Sequence, residues 1–498
     1  MRISRLLTKL FLLTLITGIT ILANNSNDSC TACGCDDLAP KTFFTPRQVT
    51  FDPTMELALN NWLFYHTGTP DNNDCAGTYF FSIDPFYMKS LSSCDSEDGN
   101  IAGHFLGCGI EGFKLREDGT GDVGSLWVEL ISPTGESYES HVCIDPQRTA
   151  GGAYLQFYGR WYDCVWLSIT SALMGVSHNL HFKEQYVVAN NGTIPDIVNA
   201  CDAFNNISWT FGKWSCCKKN KVGLDDIQIK LGYNFLQCDN GSHWGIYGVG
   251  SIPTSKGPKS HFMFEPLVGS KHGSLGAGTN IDFTLMFGQF PMSFMVDLKY
   301  RYIFSATEPR SFDLINGGLS RYLAVATEAT PYVSQPGINS MTRDVSVTPG
   351  STIDLWYASH YNCSDNWDFE WGTVVWWKTC ESICLSETCT DDTVGIYDLG
   401  AITSLTAISA STAEISNGLP DNPPVSDTVF TPISNSDFNI DSAQHPSTFT
   451  FKLYGAVAYN TDCYCWPITA GIGAGYEWAD NDHALQQWHF WATLTTNF

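Results

Sequence analysis

The stretch Phe294-Met295-Val296-Asp297-Leu298-Lys299-Tyr300-Arg301-Tyr302-Ile303-Phe304 governs how the rest of the chain is read. Side chains of an extended strand point alternately to opposite faces. Phe294, Val296, Leu298, Tyr300, Tyr302 and Phe304 therefore form one continuous apolar and aromatic face, while Asp297, Lys299 and Arg301 stand in a row on the other. A soluble sandwich also turns alternate residues outward, so this strand alone fits a sandwich or a membrane barrel. Its neighbours narrow the choice.

The same alternation recurs in segments of about ten residues bounded by Gly, Asn, Asp or Pro. In 226–235, Ile227, Ile229, Leu231, Tyr233 and Phe235 oppose Gln228, Lys230 and Asn234. In 275–285, Leu275, Ile281, Phe283 and Leu285 oppose Gly276, Gly278, Asn280 and Asp282. Phe369, Trp371, Val375 and Trp377 oppose Asp368, Glu370 and Lys378. Phe449, Phe451, Leu453 and Val457 oppose Thr448, Thr450 and Lys452, and 468–477 alternates small apolar residues with Gly before Glu477. The polar faces, rich in Gly, Thr, Asn and charge, suit a wet lumen. Asp297, Lys299, Arg301, Asp368, Glu370, Lys452 and Glu477 are the residues expected to line it. Aromatics at strand ends, such as Trp371, Trp377 and Trp478, suit interfacial girdles.

The last segment ends in the same way, with Trp488, Phe490, Ala492, Leu494, Thr496 and Phe498 on one face. A terminal strand closing on Phe is similar to the assembly signal of outer-membrane barrels. Gln237-Cys238-Asp239-Asn240-Gly241 carries the Asn-Gly turn chemistry of a hairpin. Residues 380–447 are polar and contain Pro420, Pro423 and Pro424. They are expected to form a long extracellular or constriction loop, with one short helix at Ile402, Leu405 and Ile408.

Arg2, Arg5 and Lys9 followed by the apolar run from Leu10 to Ile16 read as a secretory signal ending near Ala23. No later stretch of about 18 apolar residues exists, so no transmembrane helix is expected. Charged residues make up 15% of the chain, against roughly 25% in an ordinary globular domain. Aromatics reach 13%, which suits a wall facing lipid. The net charge of −25 argues against nucleic acid and anionic headgroups as partners. In a pore, carboxylates on the lumen would favour cations; solvated acidic loops are the simpler source of the same charge.

Eighteen cysteines in an exported chain point to disulfides. Cys30, Cys33 and Cys35 have the spacing of a metal cluster, but in an oxidising compartment they read as disulfide formers. Cys216, Cys217, Cys380, Cys384, Cys389, Cys463 and Cys465 are read likewise, with connectivity open. No metal site and no cofactor is expected.

Enzyme constellations are weak. The chain lacks H-E-x-x-H, a P-loop and G-x-S-x-G. His243 and His272 near Glu265 read more simply as structural histidines. Asp354 with Asp368 and Glu370 would need a gap of about 5–9 Å to act as a glycosidase pair, and lumen or loop charge explains them. The cluster Trp367, Trp371, Trp376 and Trp377 would suit a sugar-stacking lectin or a lipid-interface belt.

Gly232-Tyr233-Asn234-Phe235-Leu236, His243-Trp244-Gly245-Ile246-Tyr247, Pro253-Thr254, Phe264-Glu265-Pro266-Leu267-Val268-Gly269, His272 and Leu275-Gly276-Ala277-Gly278 carry a family resemblance. These residues resemble the major-outer-membrane-protein-like porins of intracellular bacteria, such as Chlamydia-related organisms and Legionella. The likeness spans mainly 225–304 and the terminal strand; Ser270-Lys271 departs from the Asn-Gly of that family. It implies a cysteine-rich barrel that passes small solutes and shares disulfides with neighbouring envelope proteins.

The sequence thus predicts an all-β transmembrane antiparallel barrel of about 16 strands, 14 to 18 being admissible, with long extracellular loops. Residues 1–23 would be the signal, 24–50 a Cys-rich, plug-like or periplasmic leader, and 51–498 the barrel. The expected function is an outer-membrane porin, not an enzyme, passing small hydrophilic solutes and ions by diffusion. Expected partners are outer-membrane lipid, those solutes, disulfide-linked envelope proteins and further copies of the chain. A secreted or surface disulfide-rich adhesin or lectin built as a β-sandwich is the rival, since it buries its apolar faces between two sheets.

Overall fold

Each long alternating run forms a strand, and each strand pairs with the next in sequence. The computed structural model describes residues 40–60, 79–92, 101–107, 110, 112–116, 121–128, 130, 138–161, 164–188, 197, 199–237, 242–287, 290–315, 317–328, 330–364, 366–385, 394–398, 429–463 and 466–497. The strands are β1 (Tyr79–Ser90), β2 (Gln147–Trp161), β3 (Val165–Asn179), β4 (Ile227–Gln237), β5 (His243–Ile252) and β6 (Ser274–Phe287). They continue as β7 (Phe290–Ile303), β8 (Gly350–Asn362), β9 (Trp367–Lys378), β10 (Thr448–Cys463), β11 (Trp466–Ala479) and β12 (Gln487–Asn497). All neighbours are antiparallel, and β1 returns to pair with β12, Phe86 opposite Trp491 and Lys89 opposite Trp488. The sheet therefore closes as one barrel, not the two stacked sheets of the rival reading. At one seam β3 is shared: Val165–Thr170 pairs with β4, and Leu173–His178 pairs with an accessory strand, Lys219–Leu224.

Twelve barrel strands are fewer than the 14 to 18 expected. The difference lies in the connections. At one end of the barrel the strands are joined by short turns, as between Trp161 and Val165, Phe287 and Phe290, or Cys463 and Trp466. At the other end the chain makes long excursions after β1, β3, β5, β7 and β9. Sequence that would have supplied further hairpins folds there into a cap with small sheets of its own. Gly112–Arg116 pairs with Glu139–Cys143, and Ala306–Ser311 pairs with Thr342–Thr348. Phe105, Phe113, Phe204, Trp214 and Tyr322 form a buried core in this cap. The described parts of 380–447 belong to the cap as well: Ser382–Cys384 pairs with the strand Thr342–Thr348. The helix expected at Ile402, Leu405 and Ile408 lies outside the described residues.

The faces divide as the alternation requires. Leu298, Tyr300 and Tyr302 on β7 are exposed, whereas Asp297, Lys299 and Arg301 between them are buried. Leu231, Tyr233 and Phe235 on β4, Leu275 and Phe283 on β6, and Phe369 and Trp371 on β9 are exposed too. Aromatic contacts gather in two belts. Near the short turns lie Phe283 with Phe294, Phe235 with Trp244, and Trp367 with Tyr459. Near the cap lie Tyr302 with Phe304 and Tyr476 with Trp478 and Trp488. From Phe294 to Phe304, a run of steps of ~3.4 Å on a strand tilted by ~40° climbs about 26 Å, close to the ~25 Å apolar band of an outer-membrane barrel.

Candidate functional site: a charged lumen occupied by residues 40–60

The lumen is threaded by residues 40–60 of the chain itself. Eight strands leave an interior that side chains just fill, and 16 to 18 leave an aqueous channel. Twelve leave room for one more segment, and residues 40–60 occupy it. The domain boundary expected at residue 50 accordingly moves: the lumenal segment runs on to Asn60, and the first barrel strand starts at Tyr79.

The segment enters from the cap. The Lys41 N–H donates to the His104 carbonyl at 2.8 Å, and the Thr42 N–H donates to the Ser442 carbonyl at 2.8 Å. Phe44 packs among His104, Phe105, Phe264 and His445. A single 3-10 turn, Val49–Phe51, leads into α1 (Pro53–Leu57). The Asp52 carboxylate accepts from the Thr54 N–H at 3.1 Å, and Pro53 takes the first helical position, the usual chemistry of a helix start. Leu59 adopts a left-handed φ of 61° and donates its N–H to the Glu370 carboxylate at 2.9 Å. Asn60 accepts from the Thr495 hydroxyl at 2.7 Å, near the short-turn end.

Charge on the segment meets opposite charge on the wall at three levels. Arg47 lies 2.6 Å from Asp354 on β8 and 3.4 Å from Glu477 on β11. Asp52 pairs with Lys452 on β10. Glu56 lies 2.7 Å from Lys230 on β4. Between these, Thr50 donates through its N–H and hydroxyl to Asp225 at 2.9 and 3.0 Å. Lys299 donates to the Phe51 carbonyl at 3.2 Å, and the Arg301 guanidinium stacks 3.8 Å from the Phe51 ring centre. Breaking one side of a buried pair leaves a desolvated charge and costs about 3–5 kcal/mol. The segment is therefore latched along its whole length.

All seven residues expected to face the lumen are buried on the inner wall. Lys299, Arg301, Glu370, Lys452 and Glu477 touch the segment directly. Asp297 instead accepts from the Tyr247 hydroxyl at 2.8 Å, and Asp368 accepts from the Asn460 amide. Arg47, Asp52 and Glu56 on the segment escaped the sequence reading, as did the wall's Asp225. Their signal was the helix start at Asp52-Pro53 inside a stretch read as leader and barrel edge.

At the cap end three histidines surround the entering chain. His104 Nε2 lies 2.7 Å from the Phe43 carbonyl and its Nδ1 lies 2.8 Å from His483 Nδ1. Burial, together with the neighbouring histidines, holds His104 well below the ordinary histidine range. Burial does the same to His445, aided by Lys378, and it lowers His483 to about 4. A neutral set fits the bonds: His104 donates from Nε2 to Phe43, and His483 donates to His104 Nδ1.

Cys216 is bonded to Cys201, a partner that spacing did not single out. Among the described residues, Cys217 and Cys384 are exposed free thiols with no disulfide partner within the chain. Cys217 points out of the cap, with Cys216 turned inward to Cys201, and Cys384 ends a cap strand facing solvent. Cys380 sits half-buried just after β9, and Cys463 ends β10. Cys30, Cys33, Cys35, Cys389 and Cys465 lie outside the described residues.

No protein-family model matches the chain, and no curated protein matches it. Among solved structures, it is similar to an outer membrane channel from Pseudomonas putida F1, with a TM-score of 0.39 and 6% identity over 85% of this chain and 96% of that one. A Pseudomonas aeruginosa FadL homologue overlays with a TM-score of 0.32 and 7% identity, covering 92% of this chain and 100% of that one. The NanC porin gives a TM-score of 0.26 and 7% identity over 78% of this chain and 98% of that one. Overlays this loose carry no weight, and the fold assignment rests on the closed pairing of β1 with β12.

Proposed function

We propose that this chain is a channel of a bacterial outer membrane that passes small hydrophilic solutes and ions, and that residues 40–60 gate it. The observation that carries this reading is the pairing of an apolar, doubly girdled exterior with a charged interior in one closed barrel. Hydrocarbon accepts only structures whose backbone groups are all satisfied internally, and a barrel without edges is one of the two that qualify. Long loops at one end, short turns at the other and an even strand number are the usual form of an outer-membrane barrel.

The role is a conduit without chemistry, and the gate is local. Passage requires residues 40–60 to leave at least part of the wall, exchanging buried ion pairs for hydrated ones. Net negative charge argues for cation preference, but Lys230, Lys299, Arg301 and Lys452 on the inner wall offset it locally. The resemblance to major-outer-membrane-protein-like porins belongs to this proposal and rests on the residues quoted for it. Under that resemblance, exposed Cys217, Cys363 and Cys384 are the thiols available for cross-links to neighbouring envelope proteins.

Heat treatment and membrane partition test the reading. A barrel protein migrates faster on a gel before boiling than after, and it stays with detergent-extracted membranes. A chain that shows no heat shift and remains in the aqueous phase would be the adhesin-like alternative.

A further inference from the structure

We infer that the cavity between residues 43–51 and the cap end of the barrel wall is a binding site for a small organic carboxylate. The cavity measures about 90 Å³. One water needs roughly 10–15 Å³ on this measure, so the space admits several waters or one short-chain acid. Its lining includes two arginines from well-separated strands, Arg148 on β2 and Arg301 on β7. Both are 2% exposed. Nε and Nη1 of each guanidinium are buried and have no hydrogen-bond partner among the described residues. The nearest carboxylate oxygen to Arg301 is Asp354 Oδ2, at 3.7 Å. A guanidinium carries five donors, and buried donors are nearly always satisfied.

The acids around the cavity have already been claimed. Asp225 accepts from Thr50 and from the Gly269 N–H at 3.1 Å. Glu308 lies 2.8 Å from Arg310 and 3.1 Å from His272. Glu381 lies 3.1 Å from Lys378 and 3.2 Å from Arg310. What remains open is cationic donor capacity. The rest of the lining is largely apolar, with Met174, Leu267, Val268 and Trp376. An anionic head for the guanidiniums and an apolar body for these side chains describe a short organic acid better than inorganic phosphate.

The site deepens the channel reading by naming a class of solute, yet binding does not require current to flow, so the two fail separately. The test is calorimetric titration of the full chain, refolded in detergent micelles at neutral pH, with butyrate, its neutral isostere butyramide, and inorganic phosphate. Butyrate should bind at least about tenfold more tightly than either comparator, the worth of charge-assisted hydrogen bonds. Arg148→Gln and Arg301→Gln should each weaken butyrate about tenfold, while Arg116→Gln in the cap leaves it unchanged. Absence of butyrate binding, equal binding of butyramide, tighter binding of phosphate, or unchanged affinity in both variants would overturn the site. If the variants lose the heat shift and so fail to fold, the three ligands on the native chain still decide.

Discussion

The Lys230 ammonium on β4 stands 2.7 Å from the Glu56 carboxylate on α1, and both side chains are buried. The wall thus meets the lumenal segment through a desolvated ion pair, and Gln228 adds a donor to the same carboxylate at 3.2 Å. Glu56→Gln leaves Lys230 buried without its counter-charge, a loss of about 3–5 kcal/mol of latching. Openings in a planar bilayer should become at least tenfold more frequent. The exchange Glu56→Lys with Lys230→Glu should bring them back toward the native frequency, since a double-mutant cycle isolates the pair.

Gly471 on β11 provides space for the far end of the segment. A Cβ there would stand 2.5 Å from Leu59 Cδ1 and 3.0 Å from Thr493 Cγ2. Gly471→Val overpacks the contact by about 1–3 kcal/mol. Hydrogen exchange of the amides in 53–60 should accelerate, while those of β10 to β12 keep their protection.

Acid should loosen the cap where the segment enters. His104, His445 and His483 are each held below the unfolded value of about 6.5. Above that pH both folded and unfolded forms are neutral, and folding pays nothing. As pH falls below it, the unfolded form binds protons that the folded cap refuses, at about 1.4 kcal/mol per pH unit for each histidine. For His483 the loss is complete near its folded value of about 4. Tryptophan fluorescence from Trp209 and Trp214 should therefore report cap opening between pH 6.5 and 4, and no change on raising the pH from 7 to 8.

Much of this was legible in the alternation. Leu298, Tyr300 and Tyr302 against Asp297, Lys299 and Arg301 set the wall's two faces without any tertiary knowledge, because a strand's period is fixed by its geometry. Strand number was not legible. Short alternating runs such as Glu139–Cys143 look like barrel strands, yet they pair within the cap. Pairing across long loops is a tertiary outcome that local pattern does not encode. The path of residues 40–60 was hidden for a similar reason. Arg47, Asp52 and Glu56 are unremarkable charges until Asp354, Lys452 and Lys230, far along the chain, are placed opposite them.

The exposed thiols give a prediction about assembly. With Cys217 and Cys384 free in the cap, envelope extracts run without reductant should contain larger species that collapse to the monomer with reductant. Cys217→Ser with Cys384→Ser should diminish those species and leave the Cys201–Cys216 bond intact. An unchanged monomer band in both lanes would remove cross-linking from the proposal.

Conductance in a planar bilayer, compared between the native chain and a variant lacking residues 40–60, reaches the centre of the matter. A lipid-spanning barrel closed by residues 40–60 should give small and infrequent openings when intact, and large steady steps once the segment is gone. Equal conductance from the two proteins, or none from either, would contradict it.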